Sequence, residues 1–401
     1  MKYIVLLASV VIQVCLGGIY AWSTFVPYLV ADVGLSVTQT QIVFGLLFGV
    51  FTLSMVVAGR LVERRGPRMI AGLGGLVFAI GYLVASRPDG SFPLMLLGIS
   101  LLAGIGTGAG YVCALTTSMK WVPERKGLVT GMAMAGFGGG AILLSAVAES
   151  LLSSGVDVLT IFQWIGLAYG AAILIAAMVL RFPASGQMAQ AQAAPPLERL
   201  VRDPFFLSLV LGMFCGTFAG MLVIGNLTPM ALAVGLPALP AAAAVSVFAI
   251  GNATGRITWG WIADRTGEWM IPVKLVALAA PLALLAWVTM PGAFIAVSFA
   301  IGFGFGACFV LYAAQVAARY GLSSVAGIYP LVFLAYGAAG IVGPPLGGWL
   351  YDQTLSYRPA IVLTVGVVGI GIVGTIWLLR KARPAPVARY VEIDGRSMLT
   401  D

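Results

Sequence analysis

The chain is a succession of long apolar runs separated by short polar breaks, from its first residues to about residue 380. Most runs hold roughly 20 residues, the length that carries an α-helix across a bilayer core about 30 Å thick. The pattern predicts twelve membrane helices near residues 3–30, 39–62, 69–86, 93–118, 127–152, 158–181, 204–232, 240–263, 271–290, 293–317, 324–350 and 359–379. The first run begins at Tyr3, as a secretory leader would. Pro27 and the aromatic cluster around Trp22 extend it beyond a leader's short apolar core, and no small-residue cleavage site follows cleanly. It is expected to stay as the first helix. The longest polar break, Pro183 to Asp203, is rich in Ala, Gln and Pro and divides the chain near its middle. The expected organisation is a six-helix bundle over 1–182, a cytoplasmic linker over 183–203, a second six-helix bundle over 204–380 and a cytoplasmic tail over 381–401.

The two halves repeat one another. Gly59-Arg-Leu-Val-Glu63-Arg64-Arg-Gly66 follows the second run, and Gly260-Trp-Ile-Ala-Asp264-Arg265-Thr-Gly267 follows the eighth, 201 residues later. Val33-Gly-Leu35 and Val234-Gly-Leu236 close the first and seventh runs at the same offset, and Gly127 and Gly140 match Gly327 and Gly340 at 200. Three registers agreeing within a residue point to an internal duplication. Two six-helix halves related by an axis along the membrane normal are one repeat architecture of secondary transporters.

Composition agrees with a lipid-solvated fold. The chain is 60% hydrophobic and 9% charged, against about 25% charged for a soluble domain. A net charge of +8 raises the question of a nucleic-acid partner, but its distribution answers it. On the helix assignment above, 19 of the 22 Lys and Arg residues fall on one side, Lys274 among them. Arg87 and Arg358 fall on the other, and Arg256 lies inside a helix. The positive-inside rule then places both termini and the linker in the cytoplasm. The expected setting is the cell's inner membrane, with the bilayer as partner and no nucleic acid. Cys15, Cys113, Cys215 and Cys308 all lie within apolar runs without CxxC spacing, so they read as small buried hydrophobes. With no histidine, no nucleophile–base set and no phosphate loop, neither an enzyme, a metal site nor a cofactor is expected. Gly104-Ile-Gly-Thr-Gly108 and Gly136-Phe-Gly-Gly-Gly140 read as close helix packing.

Arg256 carries the most chemistry. It lies eight residues before Asp264, roughly 12 Å inside the cytoplasmic end at 1.5 Å per residue. An arginine at that depth costs on the order of 3 kcal/mol even on insertion-based scales. No Lys, Asp or Glu is expected at another helix centre; Glu149 and Asp352 lie near helix ends. A guanidinium fork matches a carboxylate in a bidentate pair, so the missing partner is expected to be an anionic substrate, the alternative being a snorkelling or hydrogen-bonded structural arginine. Asn252, one turn earlier, shares its face and reads either as a substrate or guanidinium partner or as helix–helix glue. Tyr20, Tyr111, Tyr312, Tyr329 and Tyr336 read as deep tyrosines, each an apolar ring with a hydroxyl tip. For each, substrate contact and plain packing stand open.

The Gly-x-x-x-(Asp/Glu)-Arg-x-Gly loops resemble the helix 2–3 signature of the major facilitator superfamily, in both halves. The resemblance implies an all-α major facilitator fold with twelve helices in two pseudo-symmetric halves. It also implies gating loops built from Gly59, Glu63, Arg64, Gly260, Asp264 and Arg265. Gly18-Ile-Tyr20-Ala-Trp22-Ser-Thr-Phe25 resembles helix 1 of the oxalate:formate antiporter family and of the monocarboxylate transporters. Asn252-Ala-Thr-Gly-Arg256 resembles the latter's Asp-x-x-x-Arg, and Ser323-Ser324-x-x-Gly327 and Gly343-Pro-Pro345…Asp352 resemble their helix 11 region. By resemblance Arg256 anchors a small monocarboxylate such as L-lactate or pyruvate, carried with a proton by alternating access. The sequence departs from that pattern: Asn252 replaces an acid and Thr24 a lysine, both tied to proton coupling there. Tyr336 stands where the oxalate antiporters have a second cation. One cation for one carboxylate favours a monocarboxylate, with a carboxylate antiporter as the alternative. A channel would need rings of polar residues along a pore, and a sensor a sizeable soluble output domain.

Overall fold

A computed structural model describes residues 1–122, 126–183, 196–263, 266–321, 325–382, 389–393 and 396–400. Side chains at 63, 126–133, 325–327 and 389–400 lie outside that description. Twelve principal helices run through it: α1 (Lys2–Ala31), α2 (Val37–Arg65), α3 (Pro67–Ala85), α4 (Phe92–Trp121), α5 (Lys126–Ser153), α6 (Val158–Val179), α7 (Pro204–Ala233), α8 (Ala238–Ala263), α9 (Met270–Leu285), α10 (Pro291–Tyr320), α11 (Val325–Thr354) and α12 (Arg358–Lys381). Eleven are long and apolar enough to span a membrane.

The exception is α9, expected over 271–290 but 16 residues long. At 1.5 Å per residue it reaches about 24 Å. Its chain turns at Ala286 and Trp287, and Pro291 then opens α10. The Arg358 guanidinium sits 3.8 Å from the centre of the Trp287 ring, an aromatic–cation pair suited to the extracytoplasmic interface. Beyond the helical bundle, Arg389–Ile393 pairs antiparallel with Arg396–Thr400 in the tail.

The duplication is visible in the backbone. Gly34 and Gly235, 201 residues apart, close α1 and α7 with φ of 77° and 86°. That left-handed conformation is open to glycine without steric cost. The next amides, of Leu35 and Leu236, return to carbonyls of the helix just ended, those of Leu29 and Ala231. Within α1, a tight 3₁₀ segment at Gly18–Ala21 interrupts the α-helix. It turns Tyr20 inward, and Pro27 follows in the next stretch.

α8 and α10 meet along a seam of small residues. A Cβ added at Gly251, Gly255, Gly302 or Gly306 would overlap a backbone carbonyl of the facing helix, that of Asn252 in the case of Gly306. The two backbones therefore touch directly beside Arg256, as small residues allow in membranes. The expectation of close packing also holds at Gly106, Gly108 and Gly140 but not at Gly138 or Gly139, where an added Cβ meets open space.

The halves face each other through α2 against α11 and α5 against α8. Several polar bonds tie them toward the extracytoplasmic ends. Asp352 of α11 accepts from the Thr38 amide at 2.8 Å and its hydroxyl at 2.5 Å, supplementing the Ser36–Gln39 capping box of α2. Gln41 donates to the Gly225 carbonyl at 2.8 Å, and Ser145 to that of Ala242 at 3.1 Å. Removing a helix-capping acid costs about 1 kcal/mol, and a charge-assisted hydrogen bond is worth about 1.5–3 kcal/mol. Asp352→Ala is expected to shift the closed–open equilibrium of this side roughly tenfold or more toward open. Spin-label distances between positions 32 and 355 report it; an unchanged distribution refutes the latch.

Candidate functional site

The α8–α10 seam fixes where Arg256 points. The residue is 8% exposed. Its Nε donates to Asn252 Oδ1 at 2.7 Å, and Nη1 donates to the Met134 carbonyl of α5, in the other half, at 3.4 Å. The guanidinium carbon lies 4.3 Å from the centre of the Phe309 ring of α10. No acid pairs with it among the described residues, and Nη2 makes no protein hydrogen bond there. Asn252 thus holds the fork by its rear nitrogen, the Met134 carbonyl takes one proton of Nη1, Phe309 covers a face, and Nη2 with the second proton of Nη1 is left to a planar acceptor. The sequence placed Asn252 and Arg256 on one face, and the structure joins them.

Around Phe309 the halves meet through aromatic rings. Tyr336 of α11 packs edge-on against Phe309 at 5.3 Å. Its hydroxyl shares a 2.5 Å hydrogen bond with that of Tyr20 in α1, so a tyrosine pair crosses from half to half. Tyr20 stacks on Phe48 of α2 and meets Phe137 of α5 edge-on. Tyr111 of α4 also packs edge-on against Phe137, at 5.4 Å. Tyr329 donates to the Phe309 carbonyl at 3.1 Å.

Tyr312 lies elsewhere. It is fully buried, with a hydroxyl that finds no hydrogen-bond partner among the described residues. It turns toward α7, over Gly212, and toward α9, where the Lys274 ammonium is 5.0 Å from its ring centre. Lys274 itself corrects the sequence reading. Counted on the cytoplasmic side near the start of a helix, it is completely buried, its Nζ 2.7 Å from Cys308 Sγ and close over Gly216 of α7. A lysine near a helix end reads as a charge that reaches water, but its long stem carries the ammonium inward. Cys308 and Phe309 are consecutive on α10, so Lys274 and Arg256 address different faces of one helix.

Glu149 is a second group whose burial the sequence hid. Near the end of α5, it is 1% exposed and accepts from the Tyr28 hydroxyl at 3.1 Å. One turn back, Ser145 bonds Thr24 at 2.9 Å. Thr24 and Tyr28 on α1 therefore face Ser145 and Glu149 on α5 as a polar ladder, whose Ser145 rung bridges to the opposite half.

The loop signatures are described only in part. Asp264, Arg265, Ser323 and Ser324, and the side chain of Glu63, lie outside the described residues. Arg64 is exposed in the last turn of α2. Gly66 adopts φ of 81° between α2 and α3, the tight turn the motif suggests. Gly59 and Gly260 are not close-approach positions: an added Cβ would make ordinary contact with Val112 at the first and meet open space at the second. Phe305 and Phe309, one turn apart at the centre of the aromatic cluster, were not singled out by sequence. In a chain with 20 phenylalanines nothing but that spacing marked them.

Twelve helices in two related halves, eleven of them long and apolar enough to span a membrane, with a buried arginine between the halves, have the architecture of a membrane transporter. Residues 7–333 match the Major Facilitator Superfamily, and the chain belongs to that family. It is 28% identical over 357 residues to an oxalate:formate antiporter of Oxalobacter formigenes, covering 86% of this chain and 84% of the relative. It is 27% identical over 364 residues to monocarboxylate transporter 11 of Homo sapiens, covering 84% and 74%. The fold is that of a bacterial homologue of the human lysosomal transporter Spinster, solved inward-facing and unoccupied. That likeness has a TM-score of 0.77 at 16% identity and covers 96% of this chain and 99% of the other.

Proposed function

We propose that the protein carries small monocarboxylates, L-lactate and pyruvate, across the inner membrane by proton symport. The observation that carries this reading is Arg256, a buried guanidinium whose rear nitrogen is held by Asn252 and whose front edge meets no acid among the described residues. The relatives' printed substrates, oxalate, formate and monocarboxylates, are all carboxylates, the class a guanidinium fork selects. A single cation beside apolar rings suits one carboxylate with a short alkyl group. Tyr20, Tyr111, Tyr329 and Tyr336 enclose the substrate and Phe309 covers the guanidinium, while Tyr312 supports α10 from behind. Glu63, Arg64, Asp264 and Arg265 belong to the cytoplasmic gate with Gly59 and Gly260. Alternating access then exchanges the extracytoplasmic bonds of Asp352 and Gln41 for contacts among these loops.

Coupling follows from charge. A lactate anion neutralises Arg256 in the loaded state, and a proton moving with it makes net transport electroneutral. A second reading, exchange of one carboxylate for another, is favoured by the same arginine. Returning empty leaves a buried charge unpaired, which is costly. Uptake into vesicles containing no carboxylate separates them: an inward proton gradient stimulates symport and leaves an exchanger idle. If the proton travels at the substrate–Arg256–Asn252 site, Glu149→Gln keeps most of this stimulation, within about twofold. A loss of tenfold or more (about 1.4 kcal/mol) with carboxylate exchange intact moves the proton to Glu149.

A further inference from the structure

The outer surface of the first half carries a second feature, remote from Arg256. On the cytoplasmic side α3 and α6 diverge to leave a groove of ≈ 510 Å³ lined by Arg65, Arg68, Gly72, Leu73, Leu174 and Met178, among others. A smaller recess of ≈ 180 Å³ shares Arg68 and Met178 and adds Arg181. None of the residues lining either is acidic. Deeper in the membrane the helices close up: Gly75 packs on Ile173 and Gly170 on Ala79.

The groove has two chemistries at two depths. Arg65 ends α2, Arg68 lies in the first turn of α3 and Arg181 follows α6, so all three stand at the cytoplasmic interface, exposed. The wall running from them into the bilayer is apolar: Met69, Leu73, Leu174 and Met178 are all exposed there. Gly72 lies in this groove, and a Cβ added there would meet no protein atom within 4 Å, so the groove is open at this point. We infer that this groove is a binding site for an anionic phospholipid of the cytoplasmic leaflet. The phosphate and anionic headgroup lie on Arg65, Arg68 and Arg181, and an acyl chain lies along Gly72, Leu73, Leu174 and Met178. A free anion would use only the arginines and leave the apolar wall in contact with bulk lipid. A lipid satisfies both, and an anionic surface contributes about 1 kcal/mol for each basic side chain near it. The site flanks Gly66, at the α2–α3 turn, so its occupant is placed to bear on the cytoplasmic loop of this half.

The test is native mass spectrometry of the full-length protein in detergent, titrated separately with phosphatidylglycerol and phosphatidylcholine. Phosphatidylglycerol should bind at least tenfold more tightly. The double substitution Arg68→Gln, Arg181→Gln should weaken it roughly 30-fold while leaving phosphatidylcholine unchanged, about 1 kcal/mol for each arginine. Gly72→Trp keeps every arginine yet fills the groove, and should also lose the lipid. Should that variant not fold, Met178→Glu places a negative charge on the same wall and should have the same effect. Millimolar inorganic phosphate should not displace phosphatidylglycerol. The inference is overturned if the two lipids bind alike, if the double variant keeps its affinity, or if the groove variants do. Complete displacement by inorganic phosphate also overturns it, leaving a simple anion site. Circular dichroism and melting in phosphatidylcholine show which variants are folded.

Discussion

Arg256→Gln is expected to abolish lactate binding while the protein inserts and folds. The guanidinium is held at Nε by Asn252 and faced by Phe309, so its loss removes the positive charge without opening a packing core. Glutamine keeps hydrogen-bonding capacity but leaves a substrate carboxylate unpaired in a site sealed by aromatic rings. Breaking one partner of a buried ion pair costs about 3–5 kcal/mol, a weakening of roughly 10²–10⁴-fold. Arg256→Lys restores the charge but not the site. An ammonium has no planar fork and no nitrogen at the position of Nε, so the bond to Asn252 is lost with it. Calorimetry on purified protein, paired with uptake into vesicles, measures both. Near-normal lactate affinity in Arg256→Gln removes the anchor role altogether. Intact affinity with lost transport would instead assign the arginine to the conformational cycle.

The features legible in the sequence are those written in local periodicity. Apolar runs gave the helices, the 201-residue offset gave the duplication, and a four-residue spacing put Asn252 and Arg256 side by side. Features that depend on which helices touch were hidden. Lys274 and Glu149 lie near helix ends, where charged residues normally reach water, and their burial is decided by α7, α10 and α1, remote in sequence. Tyr312 and Phe309 are three residues apart on α10, yet one turns to α7 and α9 and the other to Arg256. A three-residue spacing puts them on neighbouring positions of one side of the helix, so periodicity does not show that they part to different partners. The Tyr20–Tyr336 bond joins residues 316 apart, beyond any local pattern. The shortness of α9 depends on a turn at Ala286 that leaves its apolar run unbroken in composition.

Selectivity is the property on which this geometry bears most sharply after binding itself. Tyr336 and Arg256 both lie against Phe309, the tyrosine edge-on at 5.3 Å and the guanidinium over the ring at 4.3 Å. A cation at position 336 would therefore stand about one aromatic ring from Arg256, a separation suited to the two ends of a short dicarboxylate. The buried Lys274 does not already play this part, because it faces Cys308 and the Tyr312 ring on the other side of α10. In the native chain oxalate brings a second carboxylate that no cation meets, at a cost of several kcal/mol. Lactate and pyruvate are expected to win by 100-fold or more, about 2.7 kcal/mol. Tyr336→Lys supplies the second charge and removes the hydroxyl bond to Tyr20. It is expected to raise oxalate affinity at least tenfold and to lower lactate affinity, because an unpaired ammonium then accompanies a monocarboxylate. Tyr336→Phe separates the two effects: it breaks the same bond without adding charge, so any gain in oxalate binding must come from the lysine. Competition by lactate, pyruvate, formate and oxalate against labelled lactate in proteoliposomes reads all three proteins on one scale. A native chain that already prefers oxalate, or a Tyr336→Lys variant no better at binding it than Tyr336→Phe, means that the second carboxylate is met elsewhere and that charge at this position does not set the substrate.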